Sequence, residues 1–482
     1  MTTLALGLGA LMLGLVALGR RAPSGSRFAG LSDLGALRAR RSRAGGLPLG
    51  VAAVGRFRPM PMAIASPPGE SVLILGPTGS GKTTSLIIPA LLSWPGPVLA
   101  ASVKGDLVDA TAAWRSSRGP VDVLSPAGGG TVRYDPVALS PDAASAIRVA
   151  TSLATASSTG PPTGEMAFWS HLAAKHLAGL LLAAHRAHGD LALVNHWLEQ
   201  QACTEPLSWL GGPQDAVVAS GLRASLARED RQLSSVIATA ETVIGPLLGE
   251  APAEVLDPRR LLEERGTLYL CAPAHDQRRF AALFAATTDE VLGAAFAAAA
   301  AQGGRLAEPL LVVLDEAAAI APLADLDVLA ATCAGHGITL VTCFQDLAQV
   351  RARWGDRAQT LVNNHRTRVV LGGMADPAAA ELVTALGGVR RDRPRPERPE
   401  PVGRPLVEAH ELRQMPERSG LVISGSLPLV RLRLRPWWEH RGLSARGAAI
   451  RSGPPAPRVA TGRAARAPGR GRAGPARRGV GR

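Results

Sequence analysis

Gly76, Pro77, Thr78, Gly79, Ser80, Gly81, Lys82 and Thr83 form a G-x-x-x-x-G-K-[ST] run, directly preceded by the apolar residues Val72 to Leu75. A triphosphate concentrates several negative charges in a small volume. A site for it needs backbone N–H groups at close range and a helix N-terminus aimed at the phosphates. Glycines at 76, 79 and 81 permit that approach, and a strand before the loop with a helix after it is the context this chemistry requires. The Lys82 side chain would then bridge the β and γ phosphates, and the Thr83 hydroxyl would hold Mg²⁺. Thr84 completes the nucleotide-binding stretch. Lys82 also stands out in composition, as one of three lysines among 53 basic residues. The expected ligands are ATP and Mg²⁺.

A second group of candidate residues follows the run Leu310 to Leu314, which ends in Asp315 and Glu316. A buried strand delivering two carboxylates suits Asp315 as a Mg²⁺ holder through water and Glu316 as the general base that polarises the attacking water. The adjacent acidic pair points to a hydrolysing ATPase rather than a small-molecule kinase. Gln345 follows the apolar stretch Ile338 to Thr342, where its amide would sense the γ phosphate. Lys104 and Asp106 follow another strand, on the side where α/β proteins bind ligands. A contact with nucleotide, a contact with a neighbouring subunit and a plain loop are all open for that pair.

Other residues carry no such pattern. His171, His176, His185 and His188 fall in a helical stretch without metal-ligand spacing and read as helix-surface histidines. Cys203, Cys271, Cys333 and Cys343 are scattered without C-x-x-C spacing, which argues against zinc and for reduced, buried thiols in the cytosol.

The elements that position these residues alternate in an α/β pattern. Strand-like runs occur at 71–75, 98–102, 121–124, 267–271, 310–314, 338–342 and 368–371, with two short ones near 421–424 and 429–434. The helix after the phosphate loop should kink or end near Pro89. Residues 140–248 instead have continuous helical periodicity and read as an inserted all-α domain. Residues 388–405, crowded with Pro and Arg, read as a surface loop.

The two ends differ from this body. Thr3 to Gly19 is uncharged and apolar, and arginines at 20, 21, 27, 38, 40, 41 and 43 follow it. This reads as a single membrane anchor at 1–19 with the remainder in the cytoplasm, a signal peptide being the rival. Residues 20–60 then form a basic juxtamembrane linker. The formal charge of +14 owes much to residues 439–482, where eleven arginines accompany the single acid Glu439. That tail cannot bury enough surface to offset its ordering entropy and should be disordered. It is suited to phosphate backbones or anionic lipid, or is simply solvated.

With these residues in view, the chain resembles the type IV secretion coupling proteins, the TraG/TraD class within the FtsK/HerA-like ring ATPases. Besides the nucleotide motifs, the likeness includes Ser102 to Leu107, Phe168 and Trp169, Gly266 to Cys271, His336 to Thr339, Cys343 to Asp346, Asn363 and Asn364, Leu386 to Gly388 and Glu411 to Pro416. The resemblance implies a RecA-like P-loop ATPase domain, split into residues 61–139 and 249–438 around the insert. It also implies a homo-hexamer at the bacterial inner membrane that passes relaxase-bound DNA, or an effector protein, to the components of a secretion channel. The insert would receive that substrate, and an arginine from a neighbouring subunit would complete each site. Two departures stand out. Such proteins usually carry two N-terminal membrane helices, and Cys333 to Gly337 lacks the arginine many relatives place there, leaving Arg351, Arg353 or Arg366 as substitutes. A DNA translocase of the FtsK kind without a secretion channel, and a nucleotide-binding membrane receptor with little turnover, are the alternatives.

Overall fold

Nearly all the apolar runs bounded by turn residues become strands of one sheet in the computed structural model. It describes residues 26–39, 45–54, 60–102, 105–157, 164–201, 203–248, 253–273, 275–391 and 403–448. The strands are β1 (Pro48–Val54), β2 (Met60–Ala65), β3 (Val72–Leu75), β4 (Val98–Ser102), β5 (Val121–Leu124), β6 (Val132–Arg133), β7 (Glu254–Val255), β8 (Thr267–Cys271), β9 (Leu310–Leu314), β10 (Ile338–Phe344), β11 (Thr367–Leu371), β12 (Val389–Arg391), β13 (Gly403–Pro405), β14 (Ser419–Ser424) and β15 (Val430–Arg433). Thirteen of them pair in the order β2-β1-β15-β14-β11-β3-β10-β9-β4-β8-β5-β6-β7. From β11 to β7 the pairing is parallel, and the β14, β15, β1 and β2 edge is antiparallel.

The central strands lack polar alternation because both faces are covered, so every residue of β3, β4, β8, β9 and β10 is buried. Successive side chains still point to opposite faces. Leu73 and Leu75 join a core with the insert and the helix Gln277–Ala301, whereas Val72 and Ile74 join one with the residues after the phosphate loop and with Leu34 and Leu37.

The chain leaves the sheet through β6 and returns through its neighbour β7, and between them lie the helices Ala143–Ser157, Gly164–Arg186, Leu191–Glu199, Ala216–Leu226 and Asp230–Ile244. The helical texture expected over 140–248 is thus observed. Gly179 lets two of these helices approach closely, since a Cβ there would sit 2.8 Å from Leu222 Cβ. The insert is fastened to the α/β body by Arg148, whose guanidinium lies 3.0 Å from the buried Glu290 carboxylate, and by Ser152, which donates to Asp289. The helix Gln277–Ala301 is long and apolar enough to cross a membrane, yet it is largely buried as a core helix of this fold.

Several expectations need correction. Part of the segment 20–60 is built into the domain: β1 falls within it and pairs with β15, while Leu34 and Leu37 are fully buried. Its apolar positions outweigh its arginines. The helix after the phosphate loop does not break at Pro89. It runs as a wide π turn over Thr83–Ile87 and continues as an α-helix over Ile88–Ser93, so the proline sits in a first α turn, where its missing N–H is tolerated. The ends of the 388–405 segment pair as β12 and β13 instead of forming an irregular loop. In the tail, Arg441–Ala448 is helical, because Arg446 donates to the Leu92 carbonyl at 2.6 Å and lies 4.7 Å from the Trp114 ring centroid. The proposed anchor at 3–19 and tail residues 449–482 lie outside the described residues, as does Lys104. Finally, His176 is not a surface histidine. It is buried against the Ser225 hydroxyl at 2.9 Å, and burial lowers its pKa to about 4, which makes it a neutral core residue.

Candidate nucleotide-binding site

β3 lies inside the parallel block, between β11 and β10, so the loop that follows it opens at the sheet edge formed by the C-terminal ends of the strands. This is the edge at which open α/β sheets bind ligands. Gly79 and Gly81 adopt φ of 83° and 93°, the left-handed region that glycine enters without cost. Gly76 is required for closeness: a Cβ there would meet Leu371 Cδ1 at 2.9 Å. The loop therefore curls back over the start of the helix at Thr83.

The Lys82 side chain is buried, and its ammonium donates to the carbonyl oxygens of Gly76 and, at 3.1 Å, Pro77. These contacts hold it across the loop that it would serve. The Thr83 hydroxyl donates to Asp315 Oδ2 at 3.2 Å. Sheet order explains that meeting of residues 232 positions apart: β10 alone lies between β3 and β9, so the loop after β3 and the acids after β9 face each other across one strand. The intervening strand supplies Gln345, whose side-chain amide donates to Glu316 Oε1 at 3.0 Å. A single cleft is lined by the Pro77 to Thr84 stretch together with Asp106, Asp315 and Glu316.

Asp315 is 6% exposed, and burial pushes its pKa up to about 6. The neighbouring Glu316 acts in the same direction, whereas Lys82 and the Thr83 hydrogen bond oppose the shift. A buried carboxylate beside a hydroxyl at a phosphate loop suits a hard divalent cation that keeps most of its water, which is how Mg²⁺ binds. The residues present therefore fit the metal expected from the sequence. Glu316 has φ 63° and ψ 51°, a left-handed conformation that is uncommon for a glutamate. This backbone turns its carboxylate toward Gln345, away from the strand direction that delivers Asp315.

The other sequence candidates separate clearly. Asp106 opens the helix Asp106–Arg115 and lines the cleft, so of the three readings the sequence left open the plain loop falls away. Arg353 is buried and donates to the Pro322 carbonyl at 3.0 Å; Arg351 and Arg366 are exposed. None of these three arginines lines the cleft. The four histidines do not converge, and the described residues contain no group of His, Cys, Asp or Glu able to hold a metal without other ligands. All four cysteines are free; three are buried and Cys203 is half-buried. One buried cation had no sequence signal. Arg115 donates to Thr267 Oγ1 and to the carbonyls of Trp94 and Gly96, each at 2.7 Å, and burial lowers its pKa to about 10. Because it braces the entry to β4 against β8, its role is structural.

A phosphate loop after a central parallel strand, with an acidic pair two strands away and a glutamine on the strand between, defines a RecA-like P-loop nucleotide-binding domain. The model of the type IV secretory system conjugative DNA transfer family matches residues 41–390, and the chain belongs to that family. It is 25% identical over 324 residues to the conjugal transfer protein TraG of Escherichia coli, covering 59% of this chain and 49% of that one. The chain thus spans about half the length of the curated relatives it matches. Among solved structures it is similar to the bacterial conjugative coupling protein TrwBΔN70, with TM-score 0.66 and 19% identity over 86% of this chain and 93% of that one. It is also similar to TrwB in complex with the ATP analogue ADPNP, with TM-score 0.64 and 21% identity over 85% of this chain and 94% of that one. TrwB with ADP and Mg²⁺ gives TM-score 0.61 and 19% identity over 86% of this chain and 94% of that one. At these identities the likeness establishes the fold.

Proposed function

We propose that this protein is a membrane-anchored ATPase that couples ATP hydrolysis to the recruitment and translocation of DNA, or of a protein substrate, into a type IV secretion channel. The observation that carries this reading is the convergence of Lys82, Thr83, Asp315 and Glu316 on one cleft, with Gln345 hydrogen-bonded to Glu316 behind it. Family membership supplies the transfer context, and the TrwB complexes with ADPNP and with ADP and Mg²⁺ support the choice of ligands.

In this mechanism the Gly76 to Thr84 loop cradles the phosphates with its N–H groups, and Lys82 exchanges its carbonyl partners for β and γ phosphate oxygens. Thr83 and Asp315 would hold Mg²⁺, which supplies charge neutralisation on those oxygens. Glu316 takes the proton of the attacking water, and Gln345 fixes the orientation of that carboxylate through the 3.0 Å hydrogen bond. The bond that breaks joins the γ phosphorus to its bridging oxygen, and the products are ADP and phosphate. The helical insert would receive the substrate, the apolar segment 3–19 would anchor the chain at the inner membrane, and a homo-hexamer would place an arginine of one subunit at the site of the next.

ATP hydrolysis by the full-length protein, measured over a concentration series with and without single-stranded and double-stranded DNA, tests the proposal. Glu316→Gln serves as the blank. DNA-stimulated turnover that rises cooperatively with protein concentration is the expected result. Nucleotide binding without turnover under every condition would overturn it in favour of a receptor.

A further inference from the structure

The carboxylates approach the phosphate loop from the β9 and β10 side, so the γ phosphate end of a bound nucleotide points that way. Its α phosphate and sugar must extend toward the opposite side, where β11 and β14 lie. Arg418 stands there, immediately before β14. A Cβ placed on Gly81 would lie 3.8 Å from Arg418 Cγ, and equally far from Leu434 Cδ1, so the arginine stem crosses the shoulder of the loop.

Its backbone is fixed at this point. Arg418 has φ 56°, one of few non-glycine residues in the left-handed region among those described. The Leu434 N–H donates to its carbonyl at 2.8 Å, and the carbonyl of the next residue, Ser419, accepts from Gly372 at 2.8 Å. Gly372 admits this segment because a Cβ there would meet Met415 Cβ at 2.8 Å, and the adjoining Gly373 lies against Pro77 of the phosphate loop. The wall beside the loop thus holds an uncommon backbone conformation, and the stem of a long cationic side chain passes the loop at Gly81, just outside the residues that line the cleft. The guanidinium has a weak tether, Glu439 at 3.7 Å, with both side chains 49% exposed. An exposed pair at that separation contributes little and yields readily to a stronger anion.

We infer that Arg418 is a nucleotide contact within its own subunit, giving its guanidinium to the α phosphate and sugar end of the nucleotide held by the Gly76 to Thr84 loop. The inference rests on the nucleotide-binding reading above. A planar guanidinium fork suits phosphate oxygens, and exchanging Glu439 for a phosphate replaces a loose ion pair with charge-assisted hydrogen bonds.

Calorimetric titration of the full-length protein with Mg²⁺–ATP and, separately, Mg²⁺–ADP tests it, using Arg418→Asn, Arg418→Lys and Lys82→Ala. Asparagine tolerates the left-handed backbone, so the wall keeps its shape, and an unchanged unfolding midpoint verifies that. The expected result is a loss of about tenfold in affinity for both nucleotides in Arg418→Asn, partly recovered in Arg418→Lys. Wild-type affinity in Arg418→Asn, or a loss confined to ATP, would overturn the assignment. If Lys82→Ala loses binding while Arg418→Asn does not, the phosphate loop reading stands and only the role of Arg418 falls. If the wild-type protein binds neither nucleotide, both fall together.

Discussion

Replacing Asp315 with asparagine should stabilise the protein in EDTA, although the proposed mechanism requires that the same change disable it. Burial raises the Asp315 pKa from 3.8 to about 6. The folded state therefore binds its proton more tightly than the unfolded chain does, and stability contributed by this group falls as pH rises from about 4 through 6. Above that window the ionised carboxylate costs about 3 kcal/mol, and the cost shrinks to about 1 kcal/mol at pH 4.5. Asparagine removes the buried charge while its amide oxygen still accepts from Thr83, so the gain should follow this profile, reduced by the lost attraction to Lys82. Thermal unfolding of wild type and Asp315→Asn in EDTA at pH 8 and pH 4.5 measures it. The variant should unfold at a distinctly higher temperature at pH 8 and near wild type at pH 4.5. Adding Mg²⁺–ATP should raise the midpoint of the wild type alone. Equal midpoints at pH 8, or a difference independent of pH, would refute the reasoning.

Three further outcomes follow from the same geometry. Glu316→Gln should bind Mg²⁺–ATP with wild-type affinity while turnover falls at least about 100-fold, because the amide cannot accept the proton of water; single-turnover assays separate the two steps. Gln345→Ala should lower turnover about tenfold or more with nucleotide affinity unchanged, as Glu316 loses the partner that orients it; this is read from kcat and a direct binding titration. Glu290→Gln should destabilise the junction between insert and body by about 1 to 3 kcal/mol, since it weakens a hydrogen-bonded ion pair whose carboxylate is buried. Arg148 is half exposed, which places the loss toward the lower end. Limited proteolysis near residues 140 and 250 would report it.

The site was legible in the sequence because its parts are strand ends, and buried parallel strands announce themselves as uninterrupted apolar runs. β4, β5, β8 and β9 match their runs residue for residue, and Gln345 fell into place once β10 was found between β3 and β9. What the sequence hid depends on partners distant in the chain. β6 and β7 have two residues each and carry no pattern of their own. β1 reads as basic linker until β15 is present to pair with it. Asp106 could be assigned to the cleft only when the order of β4 and β9 was known, and the buried bonds of Arg115 run to two separate segments. Helical periodicity identified the insert as a whole but could not separate the buried His176 and half-buried His185 from the exposed His171 and His188.

The route by which the insert leaves and rejoins the sheet has a consequence for how such proteins diversify. β6 and β7 are adjacent, one strand spacing or roughly 5 Å apart, and the insert leaves from the end of the first and re-enters at the start of the second. Because the two strands run parallel, the insert is the crossover that joins them: its length and contents can change while the strand pairing it must rejoin stays the same. Lys82, Asp315 and Gln345 follow strands whose mutual spacing is set elsewhere in the sheet. The insert can therefore be exchanged by grafting between these two strands with the residues of the cleft left in register.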